Sequence, residues 1–199
     1  SRALRRGNLV SEAADSLSTG AIILAVLSAF LVTHRLATGD GVTPLSDFTR
    51  FSLYSLVLTV AGYSVIPRGA GPVGIISRAR GHVLLLVGLL FSVTQLVLAL
   101  NPWWGVSPAT ISGPPIVNET ALAFAAPGLL ALLTAGRYYT RDRGIARAYA
   151  IVGAVFVAIC LVLEIRYGFH GIAMSSAPIG LLEGNAYGLS AMALGLLES

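Results

Sequence analysis

Long stretches of apolar residues run along the chain, separated by short polar connections that carry most of the arginines. A hydrocarbon core about 30 Å thick takes roughly 20 apolar residues at about 1.5 Å rise each. Segments near 16–36, 50–67, 82–100, 119–137 and 147–166 approach this length, and a sixth, 185–199, stops short of it. The apolar residues are continuous rather than striped, which separates a helix surrounded by lipid and protein from an amphipathic surface helix. Unpaired backbone groups are not tolerated in hydrocarbon, and no run alternates with period two, so each run is expected to be helical and not a barrel strand. The expected fold class is all-α: a polytopic transmembrane helix bundle of five full spans plus a truncated sixth, forming one region over 1–199. Opening on Ser1 and closing inside the sixth segment, the chain reads as a piece of a longer many-helix protein.

Composition points the same way. Apolar residues make up 55% of the chain and charged residues 11%, where a soluble domain carries about a quarter charged residues to cover its surface. All 13 basic residues are arginine, and with the Ala, Gly and Leu richness this suggests biased coding rather than a nucleic-acid surface; no nucleic-acid partner is expected. The lone Cys160 lies in an apolar run, which excludes an intrachain disulfide and any C-x-x-C metal site.

Small residues recur every four positions at Ala21, Ala25 and Ala29 and at Ala150, Ala154 and Ala158, a spacing that gives a helix a smooth strip for close packing, although alanine is abundant throughout. Pro127, followed by Gly128, is expected to bend the fourth helix, because its ring clashes with the preceding turn and its amide is missing.

The arginines alternate between connections. Arg2, Arg5 and Arg6 precede the first span, Arg68, Arg78 and Arg80 join the second to the third, and Arg137, Arg141, Arg143 and Arg147 join the fourth to the fifth. Only Arg35, Arg50 and Arg166 fall on the opposite side. Under the positive-inside rule the N-terminus is cytoplasmic. Trp103 and Trp104 on the outer side, and Tyr138 and Tyr139 on the inner, suit interfacial belts.

Most motifs have structural explanations. Gly69, Gly71 and Gly74 spell G-x-G-x-x-G, but Pro72 interrupts them and no βαβ unit surrounds them; their flanking arginines suit a loop at anionic headgroups. No cofactor is implied. Asn118-Glu119-Thr120 matches a glycosylation pattern, yet Asn118 stands where a helix needs an N-cap. His34, His82 and His170 fall at different membrane depths, against a three-histidine metal site. Gln95, well inside a span, is expected to hydrogen-bond across helices.

The segment from Glu164 to Gly171 is the most informative, because a carboxylate and a guanidinium at a hydrophobic helix end are costly unless paired or wetted. Arg166 and His170, four apart, share a face if the helix continues, whereas Glu164 needs a partner from elsewhere. Asn101, Asn118, Glu119, Glu183, Asn185 and Tyr187 lie on the same outer side. The candidate site is therefore an outer polar cluster of Glu164, Arg166, His170, Asn118, Glu119, Asn101 and Tyr187, either a ligand or proton pocket or a headgroup-level rim. No nucleophile, base and acid set can be named among them.

Leu163-Glu-Ile-Arg-Tyr-Gly-Phe-His-Gly171, the following Asn185-Ala-Tyr-Gly-Leu-Ser and Leu194-Gly-Leu-Leu resemble the late segment of a bacterial predicted membrane protein family, domain of unknown function 2339. Asn101-Pro102, then Pro115-Ile-Val-Asn118 leading to Pro127-Gly128, is similar in order and spacing. The resemblance spans roughly Leu98 to Leu197; Ala191 stands where the family usually has tryptophan, and later charged helices are missing. It implies a many-helix protein of the bacterial inner membrane, surrounded by the lipid bilayer and other membrane helices of the same full-length protein. It implies no activity. An envelope transport component or membrane scaffold is expected; a membrane enzyme acting on envelope lipid or glycan at the outer face, with Glu119, Glu164 or His170 as acid or base, is the alternative.

Overall fold

The computed structural model describes residues 2–38, 45–66 and 75–198. Its elements are α1 (Arg2–Thr38), α2 (Asp47–Val65), α3 (Ile75–Phe91) continuing into a π-helical stretch Ser92–Ala99, a π-helical turn Ala121–Ala125 leading into α4 (Ala126–Tyr138), α5 (Arg143–His170), a 3-10 turn Gly171–Ala173, and α6 (Leu181–Glu198). No strand occurs among the described residues. The glycine pattern Gly69, Gly71 and Gly74, with Arg68, lies outside them, as do the side chains of Arg2, Arg5, Arg6 and Arg78.

Four stretches among the described residues are long and apolar enough to cross a membrane: Ser16–Thr38, Ala79–Ala99, Ala121–Tyr138 and Arg143–Ala173. Their outward faces carry large apolar side chains, with Leu24 and Leu31 on α1 and Leu86, Leu90, Leu129 and Ile151 elsewhere exposed. Each such side chain costs about 1.5–3 kcal/mol if it stays in water instead of an apolar medium. α2 presents a different face to its neighbours, burying Ser52, Ser55 and Thr59.

Helices run up and down. Leu45 N–H donates to Ala37 O, and His34 Nδ1 meets Tyr54 Oη at 2.8 Å, joining the end of α1 to the start of α2. At the opposite end Arg80 donates to Ser18 and Thr19, and Arg137 donates to Tyr63 O. The arginine-bearing helix ends Arg80, Arg137, Arg143 and Arg147 thus lie at one end of the bundle, and the 100–118 connection lies at the other.

Close packing falls to glycines rather than to the alanine strips. A Cβ on Gly62 would stand 2.3 Å from Leu85 N, and one on Gly88 would stand 2.7 Å from Thr59 Cγ2, so α2 and α3 touch backbone to backbone. Gly128 and Gly153 do the same for α4 and α5, a Cβ on Gly153 meeting Gly128 O at 2.8 Å. Ala21, Ala25 and Ala154 are exposed. Helices without side chains at the crossing gain dispersion contacts, which is what drives association where the surroundings are as apolar as leucine.

Both π stretches rearrange polar groups. Ser92, buried in the first, meets Ser55 of α2, which also donates to Gly88 O at 3.0 Å. Gln95 is half-exposed and its side chain makes no hydrogen bond among the described residues; Ser55 and Ser92 make the cross-helix bond expected of it. Pro127 sits just after the second stretch, where Ala126 N–H reaches back to Ala121 O, one residue beyond the α-helical partner. A wider turn precedes the ring that cannot donate.

Candidate functional site

The outer cluster resolves into separate knots around three carboxylates. Glu119, at the entry to the second π turn, accepts from Ser46 and Thr49 at the start of α2 and from Ser112 Oγ at 3.0 Å. Ser46 itself caps α2 by accepting from Thr49 N–H at 3.1 Å. A carboxylate here also opposes the positive end of the α2 dipole, so Glu119 fastens the connection before α4 to the head of α2.

Glu164 finds the partner its neighbours in sequence cannot supply. Its Oε2 accepts from Ile116 N–H at 2.7 Å, and its Oε1 meets the Thr120 hydroxyl. Ile116 has φ 74°, a region that a β-branched residue occupies only when its surroundings hold it there. The preceding Gly113 has φ 106°, and Tyr167 Oη donates to its carbonyl at 2.7 Å. The end of α5 therefore holds a sharply folded, strained loop. Asn118 caps the following helix as expected, Oδ1 accepting from Thr120 N–H at 2.8 Å and Ala121 N–H at 3.3 Å.

The third knot is buried. α5 continues to His170, and Arg166 and His170 on one face both reach Glu183 of α6, at 2.7 and 2.8 Å. Arg166 and Glu183 are each 1% exposed. Arg166 Nε donates to Met174 O at 2.8 Å and another guanidinium N–H to Ala177 O; Tyr187 Oη donates to Glu183 at 2.7 Å. The guanidinium also lies 4.4 Å from the Trp103 ring centre, and Trp103 stacks on Tyr187 at 8° between planes. A desolvated pair is tolerable only when its remaining donors and acceptors are met, as they are here. Asn101, fully buried, holds the turn that carries Trp103, its Oδ1 accepting from Trp103 N–H at 2.9 Å and Trp104 N–H at 3.3 Å.

All seven sequence candidates thus lie at one end of the bundle, but each carboxylate is engaged by internal donors and they do not converge on a common space. Asn185 is exposed and outside the knots. Glu183, Trp103 and Thr120 complete them; the signal for Glu183 was a carboxylate four residues before Tyr187, at the head of an apolar helix. The three histidines have separate partners, His82 lying between Tyr149 and Tyr138 at 2.8 and 2.9 Å. No group of three metal-binding side chains occurs among the described residues.

At the arginine-rich end the arrangement is open. A cavity of about 430 Å³ between the end of α4 and the start of α5 is lined by Ala135, Gly136, Tyr139, Arg143, Ala146, Arg147 and Ala150. Arg143 and Arg147 are exposed and make no ion pair or hydrogen bond among the described residues.

The chain belongs to the predicted membrane protein family DUF2339, domain of unknown function 2339, whose model matches residues 1–197. The match takes in the N-terminal half as well as the stretch from Leu98 that carries the resemblance. No curated protein and no solved structure matches the chain.

Proposed function

We propose that this family member is a structural scaffold of the bacterial inner membrane, whose outer polar residues lock helix ends together and serve no ligand or reaction. The observation that carries this reading is the buried Arg166, Glu183 and His170 knot, in which charged groups at the membrane surface are satisfied by the chain itself. A general acid or base must stand within hydrogen-bond reach of the proton it moves in a bound substrate. Here Glu119, Glu164 and Glu183 all hold internal donors.

In this reading α2 crosses the bilayer with the four spans named above, making five, and α6 begins a sixth. α2 packs along α3 through Gly62 and Gly88 over most of its length, and its Ser52, Ser55 and Thr59 are turned inward from lipid. The arginine-rich end is cytoplasmic, with the N-terminus of the chain on that side. The bilayer and neighbouring membrane helices are the partners. Reporter fusions after Arg141 and after Ser107 test the orientation: a cytoplasmic fluorescent protein should be bright at the first and dark at the second, and the opposite pattern would reverse the topology.

The scaffold role is tested in cells lacking the gene, complemented with variants. Phenotype should track the amount of folded protein, so His170→Gln and Glu164→Gln proteins present at normal abundance should restore the wild type fully. Loss of complementation at normal abundance would replace the scaffold with a chemical role. A carrier-like reading draws its support from the two π stretches, which pack on each other and are a form of helix found frequently at functional sites. For it, Glu164→Gln would alter uptake or efflux without altering abundance.

A further inference from the structure

We propose that the cavity between the end of α4 and the start of α5 is a binding site for one anionic phospholipid, its phosphate held by Arg143 and Arg147 and the start of its acyl chains seated on the small residues beneath. The two guanidiniums stand four residues apart on one face of α5, with Ala146 and Ala150 on the same strip, and Gly136 of α4 and Tyr139 just after it face them. The volume of about 430 Å³ falls in the range of small-molecule sites, about 300–1,000 Å³. The floor is open: a Cβ on Gly136 would meet nothing within 4 Å.

Charge argues for an anion there. Like charges at this helical spacing repel, and both stand in the first turns of α5, where the helix dipole is positive. The carboxylate nearest in sequence, Asp142, is committed to the backbone, its Oδ1 accepting from Gly144 N–H at 2.9 Å and Ile145 N–H at 3.0 Å. Arg137 is also committed, donating to Tyr63 O at 2.6 Å with its guanidinium 3.5 Å from the Tyr63 ring centre. The cavity thus gathers two guanidiniums that form no ion pair among the described residues.

Depth argues for lipid. α5 has 28 residues, about 42 Å at about 1.5 Å per residue, against a hydrocarbon core of about 30 Å. Its ends therefore project into the headgroup layers, where phosphates lie. Basic pockets between membrane helices bind such headgroups, and a phosphate above apolar acyl chains matches arginines above alanines.

Detergent-purified protein titrated with phosphatidylglycerol, phosphatidylcholine or inorganic phosphate provides the test, read by melting temperature and by bound lipid in native mass spectrometry. Phosphatidylglycerol alone should stay bound and raise the melting temperature. Replacing both arginines (R143Q with R147Q) should weaken it about 30-fold, at about fivefold for each arginine near an anionic surface. G136L should weaken it too although both charges remain, with helix content by circular dichroism unchanged in every variant. Equal retention of phosphatidylcholine, saturation by phosphate alone, or full binding by the double arginine variant would overturn the site. Unchanged binding by G136L would reduce it to a diffuse basic surface. Neither result bears on the scaffold reading, which rests on the opposite end of the bundle.

Discussion

The two ends of this bundle use the same kinds of side chain in opposite ways. At the loop end Arg166 is buried against Glu183 and capped by two carbonyls; at the other end Arg143 and Arg147 stand exposed over an open cavity. The difference lies in how the carboxylates are used: Asp142 at the arginine end turns to the backbone of α5, whereas three at the loop end meet donors from other segments. Glu119, Glu164 and Glu183 all lie at the loop end: Glu119 and Glu164 tie the connection before α4 to α2 and α5, and Glu183 ties α6 to α5. Charge on these three is thus internal and structural, whereas Arg143 and Arg147 face whatever surrounds the protein.

The sharpest way to break this contrast is to remove one partner of the buried pair. Glu183→Leu leaves the Arg166 guanidinium enclosed without its counter-charge, and such a change costs about 3–5 kcal/mol. Thermal unfolding in detergent should show it as the largest loss of any single substitution at this end. Adding Arg166→Met should restore much of the stability, since a well-packed apolar pair is often as good as the ions it replaces. If Glu183→Leu alone unfolds at the wild-type temperature, the loop end is a wetted rim and the contrast between the ends disappears.

A smaller effect separates holding from strain. Glu164→Gln retains an acceptor for Ile116 N–H but loses the charge that strengthens the bond, and should cost about 1–2 kcal/mol, less than full removal of a charged hydrogen bond. Ile116→Gly should relieve about 1–2 kcal/mol of left-handed strain while adding about 0.5–1 kcal/mol of chain entropy. The glycine variant should therefore melt at or slightly above the wild type. A marked loss for Ile116→Gly would mean that the exposed isoleucine side chain, rather than the backbone, matters to this loop.

Much of the fold was legible because hydrocarbon imposes so simple a rule: runs of apolar residues near the span length became helices, and the arginine-bearing helix ends gathered at one end. The resemblance seen from Leu98 onward holds for the family match over 1–197. What composition could not reveal is pairing. Glu164 bonds to the backbone N–H of a residue 48 positions away, and that depends on how Gly113 and Ile116 fold the loop, which no periodicity encodes. The alanine strips were visible, but the closest crossings lie at Gly62, Gly88, Gly128 and Gly153, because only loss of the Cβ lets backbones touch. Arg143 and Arg147 looked like ordinary topogenic charges, since a cavity between two helices has no sequence signature of its own.

The smallest expected effect is also the one that separates the two ends most cleanly. In detergent without anionic lipid, replacing Arg143 and Arg147 by glutamine breaks no bond among the described residues and removes a like-charge pair from the start of a helix. Stability should change by no more than about 0.5 kcal/mol, with a slight gain the expected sign. The same replacement of the buried Arg166 by glutamine should be severe, because Glu183 would then be left enclosed and charged. Two arginines removed at no cost from one end, and one at great cost from the other, would show that position relative to the carboxylates, and not arginine itself, decides what each charge does. A large loss from the exposed pair would instead place an internal partner at the arginine end and erase the distinction.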